Sequence, residues 1–434
     1  AEGGGDVSVQ RFGWEGAEQT GRAIRHWVSS AEPAGVYADV IRIRSELEVE
    51  SGRDAALCRL SAEFDGVEQT PADLRVDPAE AELALANVEP RWREAMEVAA
   101  ANIQAVAGIQ VRDETIEVEL PQGHRVSSRE VPVASVGIYA PGGRATYPSS
   151  VLMCAIPARA AGVERLALVS PPRSNGRLSQ QVLAAAALCG IDEIYAVGGA
   201  QAVFALAFGT ETVQPVDVIA GPGNFWVQEA KRNVMGIVGI DSYAGPSELM
   251  VIAGHDTDPE WAALDLCAQA EHGPESPLVV AAVEEHVLES IAAATVSAAA
   301  TRPTVSEAPL ALALVPDLSD AIDLANAFAP EHLELMEEDA ILQADLVRTA
   351  GCVFLGRFGA TAFGDYAAGS NHVLPTTRTG RFWGPLGPGT FRRRISQVEM
   401  PAGAAARLAP HVDALAKAEG LPVHGESAMI RSTQ

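Results

Sequence analysis

The chain has 434 residues, with 31 Lys and Arg against 57 Asp and Glu, for a net charge of −26. At roughly 100–200 residues per domain this is two to four domains, and 48% hydrophobic with 20% charged residues is a globular rather than a disordered composition. The acidity argues against nucleic acid and anionic membrane as partners, because both need a cationic footprint.

From the amino terminus, residues 1–6 have neither the basic nor the apolar region of a signal peptide, so a cytoplasmic location is expected. Residues 15–30 and 79–105 space their apolar positions as helices do. In the second stretch Leu83, Ala86, Val88, Trp92 and Ala95 fall mostly three or four apart, and Pro90 is expected to kink or divide it. Residues 115–120 alternate, with Ile116, Val118 and Leu120 apolar and Glu117 and Glu119 between them, which predicts a strand before a turn at Gln122-Gly123.

From Val133 onward the rhythm changes. Strands are expected at 134–139, 166–169, 193–197, 216–220, 249–252, 278–282, 310–315 and 352–355. Helices are expected between them at 147–161, 178–189, 201–208, 225–234, 259–271, 286–300 and 320–327. Nearly unbroken apolar strands at this spacing imply parallel sheets covered by helices on both faces. Their number exceeds one sheet, so two α/β lobes are expected. The Gly/Pro-rich stretch 383–389 reads as a joint before a tail, 404–434, made of a helix, a stop at Gly420 and an extended segment.

No apolar run approaches the roughly 20 residues of a membrane helix. The five cysteines, Cys58, Cys154, Cys189, Cys267 and Cys352, are odd in number and far apart, and read as reduced core thiols. Only Lys231 and Lys417 are available for Schiff-base chemistry.

Several polar and glycine-rich clusters carry possible chemistry. Gly198-Gly199-Ala200-Gln201 and Gly221-Pro222-Gly223-Asn224 each follow a strand and precede a helix; Pro141-Gly142-Gly143 is similar. Such turns either cradle an anion through free N–H groups or simply close a tight βα connection, and no standard dinucleotide fingerprint accompanies them. Gln269 and His272 share a face at a helix end that Gly273 closes, as metal ligands or as a polar terminus. Ala329-Pro330-Glu331-His332-Leu333 sets an acid beside a base. On a helix the two would point about 100° apart, serving two separate proton transfers or forming a surface turn. Gly364-Asp365-Tyr366 and Ser370-Asn371-His372-Val373-Leu374-Pro375 fall in a loop-rich segment after a strand, where ligands or an ordinary polar loop belong. Glu419 and His424 stand beside the stop in the tail. His26, His124, His255, His286 and His411 lack such company and read as surface or structural residues.

Together these motifs resemble the histidinol dehydrogenase family. The matching segments are 137–143, 147–153, Gly221-Pro222-Gly223-Asn224, Ala244-Gly245-Pro246-Ser247-Glu248, Gln269-Ala270-Glu271-His272-Gly273, 329–333, Gly364-Asp365-Tyr366, 371–375 and Glu419-Gly420-Leu421 with His424, in family order over most of the chain. The resemblance implies a four-electron, NAD-dependent oxidation of L-histidinol to L-histidine through histidinal, the last step of histidine biosynthesis. It implies one zinc ion per subunit, held by Gln269, His272, Asp365 and His424, the last from the tail of a partner subunit in an intertwined homodimer. Glu331 and His332 would carry proton transfer. Substrate contacts would fall on Ser247, His332, His372 and Glu419, beside Glu331 and the four zinc ligands. NAD contacts would fall on Tyr139, Gln201 and Asn224.

The implied division is an N-terminal helical segment (1–30), a discontinuous first lobe (31–112 with 247–388), a second lobe (113–246) and an exchanged tail (389–434). Both lobes would be Rossmann-like α/β units with degenerate nucleotide-binding turns. His332 as first base and Glu331 as activator of water would divide the labour of two oxidations. A Gln/His/Asp/His set suits zinc, and manganese or cobalt could substitute. The ion would hold the amine and imidazole of the substrate rather than make hydroxide. Two other readings stay open. One is a paralogue that oxidises another alcohol, such as a sulfonated diol. Glu419 speaks against it, since a carboxylate suits a cationic amino alcohol and repels a sulfonate. The other is a non-catalytic metal-binding or assembly protein.

Overall fold

The computed structural model describes residues 7–29, 35–142 and 146–432; residues 1–6, Ser30, Gly143 and Gln434, read above, lie outside them. In chain order, strand β1 (Ser8–Phe12) precedes helices Ala17–Val28, Val36–Leu47, Arg53–Phe64, Pro78–Asn87 and Pro90–Gln110. Then come β2 (Ile116–Glu119) and β3 (Arg125–Pro132). A first alternating run holds β4 (Ser135–Tyr139), β5 (Arg165–Ser170), β6 (Glu193–Ala196), β7 (Val218–Ala220) and β8 (Gly239–Ile240). A second holds β9 (Leu249–Ala253), β10 (Leu278–Ala282), β11 (Pro309–Leu314), β12 (His332–Leu335) and β13 (Cys352–Leu355). Strand β14 (Arg392–Glu399) and helices Ala402–Ala418 and Pro422–Met429 follow.

The first lobe is a parallel sheet of order β1-β11-β10-β9-β12-β13, and the second a parallel sheet of order β6-β5-β4-β7-β8. Every residue of β9 and β10 is buried, as a sheet covered on both faces requires. Alternate residues serve opposite faces. Leu249 and Val251 join a core with Ala262, Leu266 and Ile291, whereas Met250 and Ile252 join one with Ile24, Val28, Leu324 and Phe328. Helix Ala17–Val28 and β1 therefore belong to the first lobe and are not a separate helical segment. β1 is an exposed edge strand with a polar sequence, so its pattern carries little signal.

The helices between residues 36 and 110 also depart from expectation. Placed in the first lobe by their order in the chain, they cover the second sheet. Val40, Ile43, Leu57 and Leu60 share a core with Val169, Tyr195 and Phe204, and Ala81, Ala84, Met96 and Ile103 share one with Val136, Ile138 and Leu152. Each helix has an apolar stripe that must be covered, and the second sheet supplies the matching surface. Of the two outcomes expected of Pro90, the structure shows division: it opens a second helix and does not kink one. It lacks only an N–H that the first turn leaves unpaired, and the Glu89 side chain caps that turn by accepting from Arg91 N and Trp92 N.

Strands β2 and β3, expected in the second lobe, instead pair antiparallel with the tail strand β14 in the order β14-β3-β2. The stretch 383–389 is no loose joint, because Leu386 and the nearby Phe391 are buried in a second-lobe core. Gly420 ends the preceding helix at φ +73°, as expected, but Pro422 opens another helix where an extended segment was expected. Among the described residues no helix is long and apolar enough to cross a membrane.

Candidate active site

A cleft of about 1010 Å³ runs between the lobes, at the upper end of the roughly 300–1,000 Å³ typical of small-molecule sites. The second lobe contributes the carboxyl ends of β4 and β7, where its strand order reverses and ligands of parallel sheets usually sit. The first lobe contributes the amino ends of β9 and β12.

On the first-lobe wall, helix Leu318–Phe328 stops at Ala329, which has a left-handed φ of 53° and precedes Pro330. Proline disfavours helical geometry in the residue before it, so Glu331 and His332 turn into β12 instead of continuing a helix. Their side chains meet, contrary to the helical expectation: Glu331 Oε2 lies 3.4 Å from His332 Nδ1. Parallel register sets His332 beside Leu249 and so brings both groups against Glu248. His332 Nδ1 donates to the Glu248 carbonyl at 3.0 Å, and Glu331 Oε2 accepts from Glu248 N at 2.8 Å and from Ser247 Oγ. With its proton on Nδ1, the ring leaves Nε2 buried without a hydrogen bond, 3.6 Å from Asp365 Oδ1.

The electrostatics separate two histidines. Burial alone would lower the pKa of His332, but the Glu331 and Asp365 carboxylates outweigh it and hold the imidazole well above the usual histidine range. Burial likewise works to raise Asp365, and the adjacent His332 overcomes it, leaving that carboxyl below its ordinary value. His372 is pushed down by burial. Its Nδ1 donates to the Asp365 carbonyl at 2.8 Å, and its Nε2 lies 3.3 Å from Ser150 Oγ. Two histidines in one cleft are thus driven in opposite directions.

Three supporting residues had no role assigned from the sequence. The Glu248 carboxylate is fully buried, which works to raise its pKa, and Arg25 of helix Ala17–Val28 pairs with it. The Arg25 guanidinium stacks 3.6 Å over the Phe328 ring and donates to Phe328 O at 2.6 Å. Glu334 lies two residues beyond His332, on the same face of β12. It accepts from Thr361 N at 2.9 Å and Thr361 Oγ1 at 2.6 Å, fixing the start of helix Thr361–Tyr366, which carries Asp365. Burial pushes Glu334 up to about 8. Arg25 and Glu248 are 223 positions apart, a distance at which no local pattern reports a contact.

Gln269 sits buried in the last turn of helix Pro259–Ala270, and neither atom of its amide has a hydrogen-bond partner. Buried amides are nearly always satisfied, so this one fits a ligand position. His272, three residues on, lines the cleft with Asp365. An amide oxygen, an imidazole and a carboxylate form a donor set that suits zinc. Glu419 and His424 are exposed on the tail and do not line this cleft of their own chain. Among the described residues, the tight group His255, Asp256 and Glu337 lies at the opposite, carboxyl ends of β9 and β12, away from the cleft.

On the second-lobe wall Tyr139 ends β4 and its hydroxyl accepts from Gly199 N at 3.1 Å. Gly221 has φ +122°, and a Cβ there would sit 2.2 Å from Tyr139 O, so no larger residue fits. Lys231 Nζ donates to Gly221 O at 3.0 Å and pairs with buried Asp241, whose Oδ2 accepts from Gly221 N at 2.8 Å. One of the two lysines is thus engaged in clamping this turn. Asn224 caps helix Phe225–Val234 by accepting from Val227 N at 3.1 Å, which leaves a helix N-terminus at the cleft. Gln201, also expected here, is buried in the first turn of helix Gly199–Phe208, which follows β6.

The cleft gathers Tyr139, Gln201, Asn224, Ser247, His272, Glu331, His332, Asp365 and His372. A family model described as histidinol dehydrogenase matches residues 30–432. A histidinol dehydrogenase from Rhizobium meliloti is 44% identical, covering 88% of this chain and 89% of that relative. One from Nitrosospira multiformis is 42% identical, covering 93% of each. The crystal structure of histidinol dehydrogenase from Elizabethkingia anophelis is similar with a TM-score of 0.88 and 30% identity, covering 98% of both chains. By sequence over nearly its whole length and by fold, the chain belongs to the histidinol dehydrogenase family.

Proposed function

We propose that this chain oxidises L-histidinol to L-histidine through histidinal, reducing two NAD⁺ per turnover, as the last step of histidine biosynthesis. The observation that carries this reading is the Glu331–His332 pair, held against Glu248 on one wall of a cleft whose other wall is a parallel-sheet switch point. In the first oxidation His332 Nε2 takes the hydroxyl proton as the carbinol carbon gives up its hydride, which NAD⁺ would accept when bound. The aldehyde must then add water before a second hydride can leave. All the close contacts of Glu331 use Oε2, so Oε1 is left to accept a proton from that water. The hydrate gives its hydride to a second NAD⁺ and its remaining protons to the site, leaving the carboxylate.

His372, kept neutral by burial, offers Nε2 as an acceptor to the substrate, and Ser247 lies beside the reacting pair. Zinc held by Gln269, His272, Asp365 and His424 would supply an anchor for the amine and imidazole of the substrate. Tyr139, Gln201 and Asn224 hold the nucleotide, with the Asn224-capped helix end suited to its pyrophosphate. Glu419 and His424, exposed on the tail, serve the cleft of a second copy in a homodimer, where the Glu419 carboxylate meets the substrate ammonium. A cytoplasmic location goes with this reading.

The test is NADH formation by the purified, zinc-supplied protein, with histidinol and a sulfonated diol in parallel. Two NADH per histidinol and none from the diol are expected. No NADH from histidinol would overturn the proposal.

A further inference from the structure

The nucleotide half of the cleft contains a carboxylate that the chemistry above does not use. Asp65 follows helix Arg53–Phe64 and lines the cleft with Ile43, Phe64, Tyr139 and Gln201. It comes from the part of the chain that wraps the second lobe from outside its βα succession.

The second sheet explains why an acid matters there. Its order, with β4 first, β5 and β6 to one side and β7 and β8 to the other, is that of a dinucleotide-binding half. In such halves an acid at the end of the second strand meets the adenosine ribose. Here the second strand is β5, which runs out through Ser170 into Pro171 and Pro172 and offers no carboxylate. The turns after β5 and β6 are pressed together, since a Cβ on Gly198 would sit 2.5 Å from Pro171 Cβ. From the first turn of helix Gly199–Phe208, Gln201 Nε2 reaches out to Asp65 Oδ2 at 3.4 Å. Among the described residues this long bond is the one side-chain contact made by the Asp65 carboxylate, and no cation pairs with it. Burial without a counter-charge pushes its pKa up to about 6. The other acids on this wall are already engaged, Asp39 by Trp226 Nε1 at 3.3 Å and Asp241 by Lys231 and Gly221 N. Asp65 is thus an under-satisfied acceptor at the carboxyl ends of the nucleotide strands. A ribose with free 2′ and 3′ hydroxyls brings two O–H donors to it. A 2′-phosphate brings roughly −1.5 to −2 charge and no donor.

We propose that Asp65 makes this chain select NAD over NADP, accepting hydrogen bonds from the adenosine ribose hydroxyls and repelling a 2′-phosphate. Gln201 is then a positioning residue for that carboxylate as well as part of the wall. The inference rests on the NAD-dependent reading given above, and the two fail differently. If wild-type protein forms no NADH or NADPH from histidinol, the reading itself fails.

The test is kcat/KM for NAD and for NADP in the full-length, zinc-supplied protein and in Asp65→Asn and Asp65→Glu. In Asp65→Asn the NAD/NADP ratio should fall by roughly tenfold or more, and Asp65→Glu should keep most of the preference. A general loss of fold would scale both nucleotides alike, so the ratio isolates the recognition. A ratio within about twofold of wild type in Asp65→Asn would overturn the proposal. Should that variant not fold, calorimetry on wild-type protein at matched ionic strength still decides. Adenosine 5′-monophosphate should bind at least roughly tenfold more tightly than adenosine 2′,5′-bisphosphate, and equal binding would overturn the proposal.

Discussion

The two lobes turn opposite edges of similar parallel sheets toward one cleft. The second offers the carboxyl ends of β4 and β7, where the proposed nucleotide site is framed by backbone, with Gly221 packed on Tyr139 O, Gly199 N bonded to Tyr139 and a capped helix end, and by the Gln201 and Asp65 side chains. The first offers the amino ends of β9 and β12, where the work falls to side chains buried as charges or near-charges: Glu248, Glu331, His332 and Asp365. Backbone recognition needs space and φ angles, which glycines supply locally. Buried charge needs partners, and these come from distant segments. The proposed nucleotide wall accordingly draws on short motifs. The wall proposed for proton transfer is assembled from the N-terminal helix, two strand starts and the 371–378 loop, all of which must be in place together.

The contrast can be broken by variants on the first-lobe wall. His332→Ala should show the largest effect. Loss of a positioned base costs about 10²–10⁴ in kcat, while NAD binding, measured by titration, should change little. A matching loss of NAD affinity would erase the distinction between the walls. Arg25→Met comes next. It leaves Glu248 buried and unpaired, for which about 3–5 kcal/mol of stability is the expected loss in denaturant unfolding. Adding Glu248→Gln should recover part of it, because the stranded charge is then gone. No loss in the single variant would mean that the N-terminal helix does not hold this wall.

The smallest effect is a shift in pH dependence with Glu331→Gln. Glu331 is one of the carboxylates that raise the His332 pKa, and the base works only after losing its proton. The rising limb of kcat/KM for histidinol should therefore move to lower pH in this variant. A shift to higher pH, or none, would show that Glu331 does not govern the state of the imidazole.

The same contrast explains what could be seen in advance. Strands such as Leu249–Ala253 and Leu278–Ala282 were legible because buried parallel strands are unbroken apolar runs. β12 was not, since His-Leu-Glu-Leu carries two polar residues that are buried only because Glu248, Asp365 and Thr361 receive them. β3 and β14 are half-exposed and rich in charge, so neither period nor hydropathy marks them. In the site, the motif residues were visible but their alternatives stayed open: Gln269 and His272 could equally have been a polar helix end. The unpartnered amide of buried Gln269 now favours the ligand role. Arg25, Asp241 and Asp65 gave no signal, and Lys231 only its rarity, because each acts through a contact that only the tertiary fold creates.

The central claim is that the first-lobe wall divides two oxidations between neighbouring residues. Its most direct test is single-turnover NADH formation from histidinol by Glu331→Gln beside wild type. The first NADH should form with His332 still in service, while the second, which needs a hydrated aldehyde, should be selectively slowed. Supplied histidinal should be oxidised correspondingly poorly. Equal slowing of both NADH phases would contradict the division of labour.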